Sequence, residues 1–422
     1  VSADAAYDAL AARVVAGGIV TDPWLDGAPR LRAESIVVSP SLGRALHRTA
    51  ERIAEVYDEA CRVVSAAPEL LDAFFTLSPY QKAMWLASEP MWHGIARADV
   101  FVTDEGLAIT ELNCDTPTGE AEAVVLNALA AEGRDDVVDP TATLEARFVS
   151  LVEALLARTL GPGAPRVAGL VYPTELTEDL ALVRLYRRWL EAAGFEVVLG
   201  SPYNLALGED GRAELFDVPI SVMVRHYKTD WWGERVSVWT DEQIPDPQPL
   251  SQELATVLSA MMERKLAVVN PLGAVLPQNK RTMALMWEHL HRFSPASQET
   301  IRRHVPVTSR LEVLHPEQLV AEKDEWVLKS DYGAEGDEVV IGRLLGAEDW
   351  RRAIGLAREG RWIAQRYFAA EQAADGSTVN YGVYLVGGEA AGLYARVQLG
   401  PTDDRALSAP ILVARGRAPS GS

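Results

Sequence analysis

Four polar residues alternate along the two arms of one short turn: Arg97 and Asp99 before it, Glu111 and Asn113 after it. The runs flanking Asp104-Glu105-Gly106 are rich in β-branched and apolar residues. Gly106 suits the positive φ that a three-residue hairpin loop requires. A turn centred on Glu105 sets Asp99 opposite Glu111 and Arg97 opposite Asn113. Strand side chains alternate, so all four project from one face. A one-residue bulge would shift the pairing yet keep the cluster. Two carboxylates about 5 Å apart on a sheet face repel and raise one another's pKa unless a cation is present. With the amide oxygen of Asn113 they make an all-oxygen set of the kind Mg²⁺ shares with substrate phosphates. Arg97 beside them suits a transferring phosphoryl group. The chemistry indicated is a Mg²⁺–nucleotide site, although an exposed hairpin with scattered charge carries the same pattern. The loop that follows, Cys114-Asp115-Thr116-Pro117-Thr118-Gly119-Glu120, offers hydroxyls and main-chain N–H groups; Thr116 and Thr118 are candidate substrate contacts.

A second constellation lies far along the chain. Lys280 ends the stretch Asn270-Pro271-Leu272-Gly273 to Gln278-Asn279-Lys280, just ahead of a helix through Trp287. Lys329 ends the apolar strand Trp326-Val327-Leu328 and opens the loop Ser330-Asp331-Tyr332-Gly333-Ala334-Glu335-Gly336. A strand, a terminal lysine, a loop with two glycines and a second strand can close main-chain N–H groups over phosphates. It is not a Walker A loop, which needs Gly-Lys-Ser/Thr opening a helix. Each feature alone is common, but the chain has only six lysines, and two of them stand in matching contexts. The segment Trp362 to Tyr367 reads as a strand running into a turn, and a hairpin about Gly387-Gly388 delivers Arg396 to a strand end.

The elements that must position these groups fall into three regions. Residues 1–160 read as mostly helical, with a buried stripe of Leu42, Leu46, Ile53, Val56 and Val63 in a helix over Ser41 to Ala66, and with the hairpin Ile95 to Asn113 interrupting. After Gly161-Pro162-Gly163, residues 161–265 alternate strand and helix: strands at Val167–Tyr172, Glu196–Leu199 and Ile220–Val224, and a helix over Asp179–Ala193. That order predicts a small α/β domain with a parallel sheet. Residues 266–422 read as α+β, with strands at Trp326–Lys329, Val339–Ile341, Trp362–Tyr367, Asn380–Val386 and Ala391–Val397. The Pro-rich stretch Ile244 to Leu250 reads as a connection, and the tail from Gly416 to Ser422 as frayed.

Bulk properties narrow the classes. At 422 residues, 48% hydrophobic and 24% charged, the chain is long enough for two or three lobes and is unlike disordered or fibrous sequences. No run of 18 apolar residues suggests a membrane span. The first residues, with Asp4, Asp8 and Arg13, do not resemble a signal peptide. Two cysteines, Cys61 and Cys114, make neither a disulfide framework nor a zinc site by themselves; a cytoplasmic location is the expectation. A net charge of −20 argues against a nucleic-acid surface, while leaving room for a locally positive nucleotide pocket.

Arg97-x-Asp99, then Glu111-x-Asn113-x-Asp115-Thr116-Pro117-Thr118, followed by the two lysines, resembles the glutathionylspermidine synthase-like family of circularly permuted ATP-grasp ligases. The resemblance covers nearly all of the chain past about residue 90. It implies an α/β (α+β) ATP-grasp fold in circularly permuted order with a small α/β pre-ATP-grasp domain, because here the Glu-x-Asn ligands precede the lysines. It implies Mg²⁺ on Asp99, Glu111 and Asn113, with Arg97 against the transferred phosphate. It implies ATP on Lys280 and Lys329, a glycine loop from Tyr332 through Gly333, Ala334, Glu335 and Gly336, an adenine hinge at Gln365, Arg366 and Tyr367, and a late arginine at Arg396. Ser330 stands where the family often has proline, and no hydrolytic amidase pair is present, so glutathionylspermidine itself is not the expected product.

The reaction this implies has a substrate carboxylate attack the γ-phosphate of ATP to give an acyl phosphate, which an amine then converts to an amide. Small-molecule acid and amine are the expected partners, with no nucleic acid and no membrane. The acyl phosphate must be shielded from water, and the glycine loop is the expected lid. A phosphotransferase on the same scaffold, or a non-catalytic nucleotide-binding protein, are the alternatives. Two further features stay open from sequence alone. Arg225 would serve as a substrate-carboxylate binder or as a structural ion-pair partner. Trp231 and Trp232 would line a pocket or fill an interface. His289 and His291, on a predicted helix without a third ligand, read as non-metal.

Overall fold

In the computed structural model, the residues described are 3–25, 27–88, 94–234, 250–333, 339–400 and 405–416. Ala334, Glu335 and Gly336 of the expected glycine loop lie outside them, as do residues 244–249 of the Pro-rich stretch and the tail after Gly416.

The hairpin Ile95–Thr103 and Gly106–Asn113 does not stand alone. It forms one side of a five-stranded antiparallel sheet whose other strands are Ser377–Val386, Glu389–Leu399 and Leu407–Ala409. Alternation divides that sheet into two faces. Ala96, Ala98, Val100, Leu112, Val383, Leu385, Leu393 and Ala395 point into the main core. There they meet the buried stripe of the helix Pro40–Ser65, including Leu46, Ile53, Val56 and Tyr57. That helix starts where the side chain of Ser39 accepts from Leu42 N–H and proline occupies the first turn. The odd-numbered residues Arg97, Asp99 and Glu111 face the other way.

A second antiparallel sheet, ordered Thr308–Arg310, Trp362–Arg366, Trp326–Ser330 and Val339–Ile341, has its own small core. Trp326, Leu328 and Ala364 pack there with Trp350, Ile354 and Leu319. By the same alternation Lys329 lies on the opposite face.

The third unit is a parallel sheet in the order Ala267–Val269, Val222–Arg225, Val167–Val171, Glu196–Gly200, with the helix Leu180–Ala192 packed on it. Its edge strand Ala267–Val269 comes from beyond residue 265, so the sheet runs past the expected boundary between the second and third regions. Three main-chain pairs, Val222 with Ala267 through Val224 with Val269, explain why: this apolar tripeptide completes the sheet. The late strand Ile411–Ala414 pairs parallel with the early strand Ile36–Val38 and antiparallel with Val137–Val138. Among the described residues no helix is long and apolar enough to cross a membrane.

Candidate active site

The cleft among the three sheets has a volume of ≈ 1610 Å³. That exceeds the roughly 300–1,000 Å³ usual for one small ligand.

The hairpin supplies the floor. Arg97 pairs with Asn113 and Asp99 with Glu111, as the spacing predicts, and a bulge just past Asp99 then brings Val100 opposite Ile109. The bulge shortens the turn to two residues between Thr103 and Gly106 and leaves the four polar side chains together on one face. Asp99 is 1% exposed and is enclosed by donors. Arg97 Nε reaches its Oδ1 at 2.7 Å and Arg97 Nη2 its Oδ2 at 3.2 Å. Arg396 Nη2 lies 3.2 Å and Asn380 Nδ2 3.3 Å from the same Oδ2. Burial opposes the charge on Arg97, but Asp99 outweighs it and raises the guanidinium pKa further, so Arg97 stays charged. Its Nη1 also donates to Thr118 O at 2.7 Å, tying the Thr-Pro-Thr loop to the floor.

Space for Arg97 comes from a neighbouring strand. Gly382 lies directly across from Asp99, and a Cβ there would stand 2.8 Å from Arg97 Cδ. Gly119 follows the same logic: its φ is +91°, and a Cβ would meet the Tyr394 ring at 2.7 Å. Neither requirement shows in the spacing of charged residues.

The lysines close the opposite wall. Lys280 Nζ is 3.4 Å from Glu111 Oε2 and donates to Gly333 O. Lys329 Nζ donates to Gln365 Oε1 at 2.9 Å and reaches Thr110 O at 3.4 Å. Burial pushes Lys329 down to about 8, and nearby Lys280 pushes the same way, while Glu111 and Asp99 resist. Burial would raise Glu111, but Lys280, Lys329 and Arg97 overcome it and hold the carboxyl at about 2. Asn113 Nδ2 donates to Glu111 Oε1 at 3.2 Å, which fixes the amide's orientation. Glu111 is therefore ionised, beside an amide oxygen and a second carboxylate. An oxygen-only set of this kind fits Mg²⁺ better than a soft metal. Among the described residues no group of three or more His, Cys, Asp or Glu is arranged to hold a metal by itself.

The other expected site residues divide. Tyr332 and Gly333 line the cleft; Tyr332 OH donates to Val275 O at 2.7 Å and Gly333 N–H to Ser330 Oγ at 2.9 Å. Thr116 and Thr118 line it too. At the expected hinge, Arg366 N–H already donates to Val307 O and Tyr367 N–H to Glu325 O. The Gln365 side chain is engaged by Lys329 and Thr308. Those two main-chain donors belong to the fold, and the cleft wall continues as Phe368, Ala369 and Ala370. Arg343 lies over the Tyr367 ring at 3.8 Å, and both border the cleft.

Arg225 is a correction. As a binder of substrate carboxylate it would need to reach the cleft; instead its side chain is fully enclosed. It donates to Asp115 Oδ1, Asn270 O and Tyr227 O. Asp115 Oδ2 takes Thr229 N–H at 2.7 Å and Thr229 Oγ1 at 3.0 Å. The structural ion-pair reading holds. Trp232 is fully buried, whereas Trp231 borders the cleft, 4.9 Å beneath the Lys228 ammonium. His289 ends the helix Arg281–Glu288 rather than lying within it, and His291 follows in a 3₁₀ turn.

Two amides that the sequence reading names only as part of the stretch leading to Lys280 hold the parts together. Asn270 is 2% exposed. Its amide donates to Ile95 O, Cys114 O and Asp115 O, and its oxygen accepts from Ile95 N–H at 2.7 Å. Gln278 Oε1 accepts from Cys114 N–H and Asp115 N–H. Asn270 joins both ends of the hairpin to the parallel sheet's edge strand, and Gln278, ending the helix Val275–Gln278, holds the second end.

Residues 36–413 match the family described as glutathionylspermidine synthase pre-ATP-grasp. No curated protein sequence matches significantly. Among solved structures, the chain is similar to a glutathione synthetase-like effector from Globodera pallida in its apo form. The identity is 11% and the TM-score 0.59, covering 97% of this chain and 96% of that one. It is also similar to a candidate γ-glutamylcysteine synthetase from Methylobacillus flagellatus, at 16% identity and a TM-score of 0.48, covering 89% and 88%. The likeness to the effector is one of fold. The fold is a mixed α/β one of the ATP-grasp type, with the parallel sheet falling between the hairpin and the lysines along the chain. With 36–413 matched along its length, the chain belongs to the glutathionylspermidine synthase pre-ATP-grasp family.

Proposed function

We propose that the protein is an ATP-dependent carboxylate–amine ligase working through an acyl phosphate. The observation that carries this reading is the convergence of Asp99 and Glu111, Lys280 and Lys329, and Arg396 on one cleft from three distant stretches of chain. An acid and ATP repel one another through their charges. A site that activates one with the other must supply cations on both sides of the γ-phosphate. Lys280 and Lys329 lie on one side, Arg97 and Arg396 on the other.

Glu111, Asn113 and Asp99 would hold Mg²⁺, which when bound supplies charge neutralisation at the phosphates. The chain's own groups then do the remaining work. Lys280, now bonded to Glu111 and Gly333 O, turns to phosphate oxygens. Arg396 and Arg97, anchored on Asp99, present fixed N–H donors to the oxygens that gain charge as the phosphoryl group transfers. Thr116 and Thr118, on the loop that Arg97 holds, contact the acid. The adenine lies toward Tyr367 through Ala370. Displacement of phosphate by the amine forms the C–N bond and releases one phosphate per turnover.

The reading is tested by phosphate release. With ATP and Mg²⁺, a matched acid and amine together should release phosphate and yield an amide by mass spectrometry. A stable phosphoester formed from one substrate alone would replace the ligase reading with a phosphotransferase. No thermal stabilisation by millimolar Mg-ATP would remove both.

A further inference from the structure

The N-terminal arm lies outside the family-matched span of 36–413, yet it forms part of the cleft wall. Trp24–Leu25 and Ala28–Pro29 make a two-stranded turn. Beyond it the arm is stitched to the edge strand Leu407–Ala409: Ser408 N–H donates to Arg30 O at 3.0 Å and Arg32 N–H to Ser408 O at 2.8 Å. Asp22, Leu25 and Arg30 thereby reach the cleft.

There Arg30 meets Glu122, which stands in the first turn of the helix Glu120–Ala131, just after the Thr-Pro-Thr-Gly loop. Arg30 Nη2 is 2.8 Å from Glu122 Oε1, and Arg30 Nε donates to Asp22 O at 2.6 Å. The side chains remain 24% and 11% exposed, so a ligand in the cleft can touch both. Tyr394 borders the same space, with its hydroxyl 2.7 Å from Ser408 Oγ. The Arg97 guanidinium lies 5.9 Å from the Tyr394 ring centroid. One aromatic ring thus separates this pair from the arginine that faces the phosphates.

We propose that Arg30 and Glu122 are a recognition pair for the zwitterionic α-amino-acid end of a substrate, the carboxylate bound by Arg30 and the ammonium by Glu122. This rests on the ligase reading and names the class of its acid: an α-amino acid with a second, distal carboxylate that reaches the phosphate end. A cation and an anion side by side at a partly dry surface exchange partners with a ligand of matched, opposite charges. Each partner exchanged leaves no charge unpaired, which is the condition for binding charged groups out of water. A ligand without the carboxylate leaves Arg30 only the more distant Asp22 carboxylate, 3.5 Å away, and one without the ammonium strands Glu122; that mismatch gives selectivity.

The test is binding calorimetry in the presence of Mg-ATP. The probes are L-glutamate, L-2-aminoadipate, L-glutamic acid α-amide and glutarate, at millimolar concentration. In the wild type a diacid with a free α-amino-acid end should bind at least about tenfold more tightly than its α-amide, the scale of a hydrogen bond to a charged group. Arg30→Ala should erase that difference, and Arg30→Lys should restore part of it. Glu122→Gln should instead erase the preference over glutarate. Unliganded melting temperatures report whether either variant has lost the arm's docking, and Glu122→Gln keeps an acceptor oxygen if Arg30→Ala has. Equal discrimination in wild type and both variants overturns the proposal, as does failure of both amino diacids to bind a wild type that Mg-ATP stabilises. A wild type that Mg-ATP fails to stabilise overturns the ligase reading itself.

Discussion

Lys280 Nζ lies 3.4 Å from Glu111 Oε2, so a lysine expected to hold ATP neutralises a carboxylate expected to hold the metal. Each group stands in for the other's ligand until both ligands arrive together. Removing the carboxylate charge by Glu111→Gln frees Lys280 and Lys329 from their anionic partner. ATP without Mg²⁺ should then stabilise the variant at least as well as the wild type, because its phosphates supply the missing negative charge. The further stabilisation by Mg²⁺ should vanish, and turnover should fall by about two orders of magnitude or more. Thermal shifts with ATP and chelator, against ATP and Mg²⁺, check both halves.

Gly382 gives a sharper probe of Arg97 than removing Arg97 itself. Added methyl bulk at 382 would press hardest on Arg97 Cδ, at 2.8 Å, and less on Tyr394 Cβ, at 3.2 Å. Gly382→Ala should therefore swing the guanidinium away from Asp99 while leaving every charge in place. We expect kcat to fall about tenfold or more with a stability loss of about 1–3 kcal/mol, the usual cost of overpacking. Kinetics alongside urea unfolding measure the two separately. Unchanged kcat would show that the position of Arg97 over Asp99 is not needed for turnover.

Glu120 predicts a pH dependence of stability. It is fully buried next to Gly119, with Tyr186 OH 3.3 Å from one oxygen and no partner for the other among the described residues. Burial pushes its carboxyl up to about 7, against the lowering influence of Arg97 and His226. A folded state that holds this proton longer than the unfolded chain loses stability as pH rises from the ordinary carboxylate range to about 7. Glu120→Gln should be free of that loss. The gap between the two proteins should grow by about 3 kcal/mol across the window and then level off. Urea unfolding at intervals between pH 4.5 and 8 reads it directly.

The hairpin was legible because strand alternation and a turn suffice to pair Asp99 with Glu111, and the bulge past Asp99 preserved the pairs that matter. The parallel sheet's edge at Ala267–Val269 was not, since a three-residue apolar strand carries no period of its own. The roles of Gly382, Asn270 and Gln278 were invisible for a different reason. Each acts on a partner over a hundred residues away, and nothing in its local sequence names that partner. Arg30 shares this property. It sits in a short polar arm, and only the ladder to Ser408 brings it to the cleft.

Arg225 shows how burial decides between two readings that the sequence leaves open. Its guanidinium is spent on Asp115, Asn270 O and Tyr227 O. Arg225→Met should leave the Asp115 carboxylate enclosed, with Thr229 as its remaining donor. Breaking a buried pair in this way costs about 3–5 kcal/mol, and urea unfolding should show a loss of that order. Replacing Asp115 as well, in Arg225→Met/Asp115→Asn, should recover part of it, since no charge is then stranded. A substrate-binding arginine behaves in the opposite way: its loss raises KM with little change in stability, and the second substitution repairs nothing. Asp115 lies two residues past Asn113, so the single variant should also loosen the end of the hairpin, and the Mg²⁺ dependence of ATP binding should weaken along with stability.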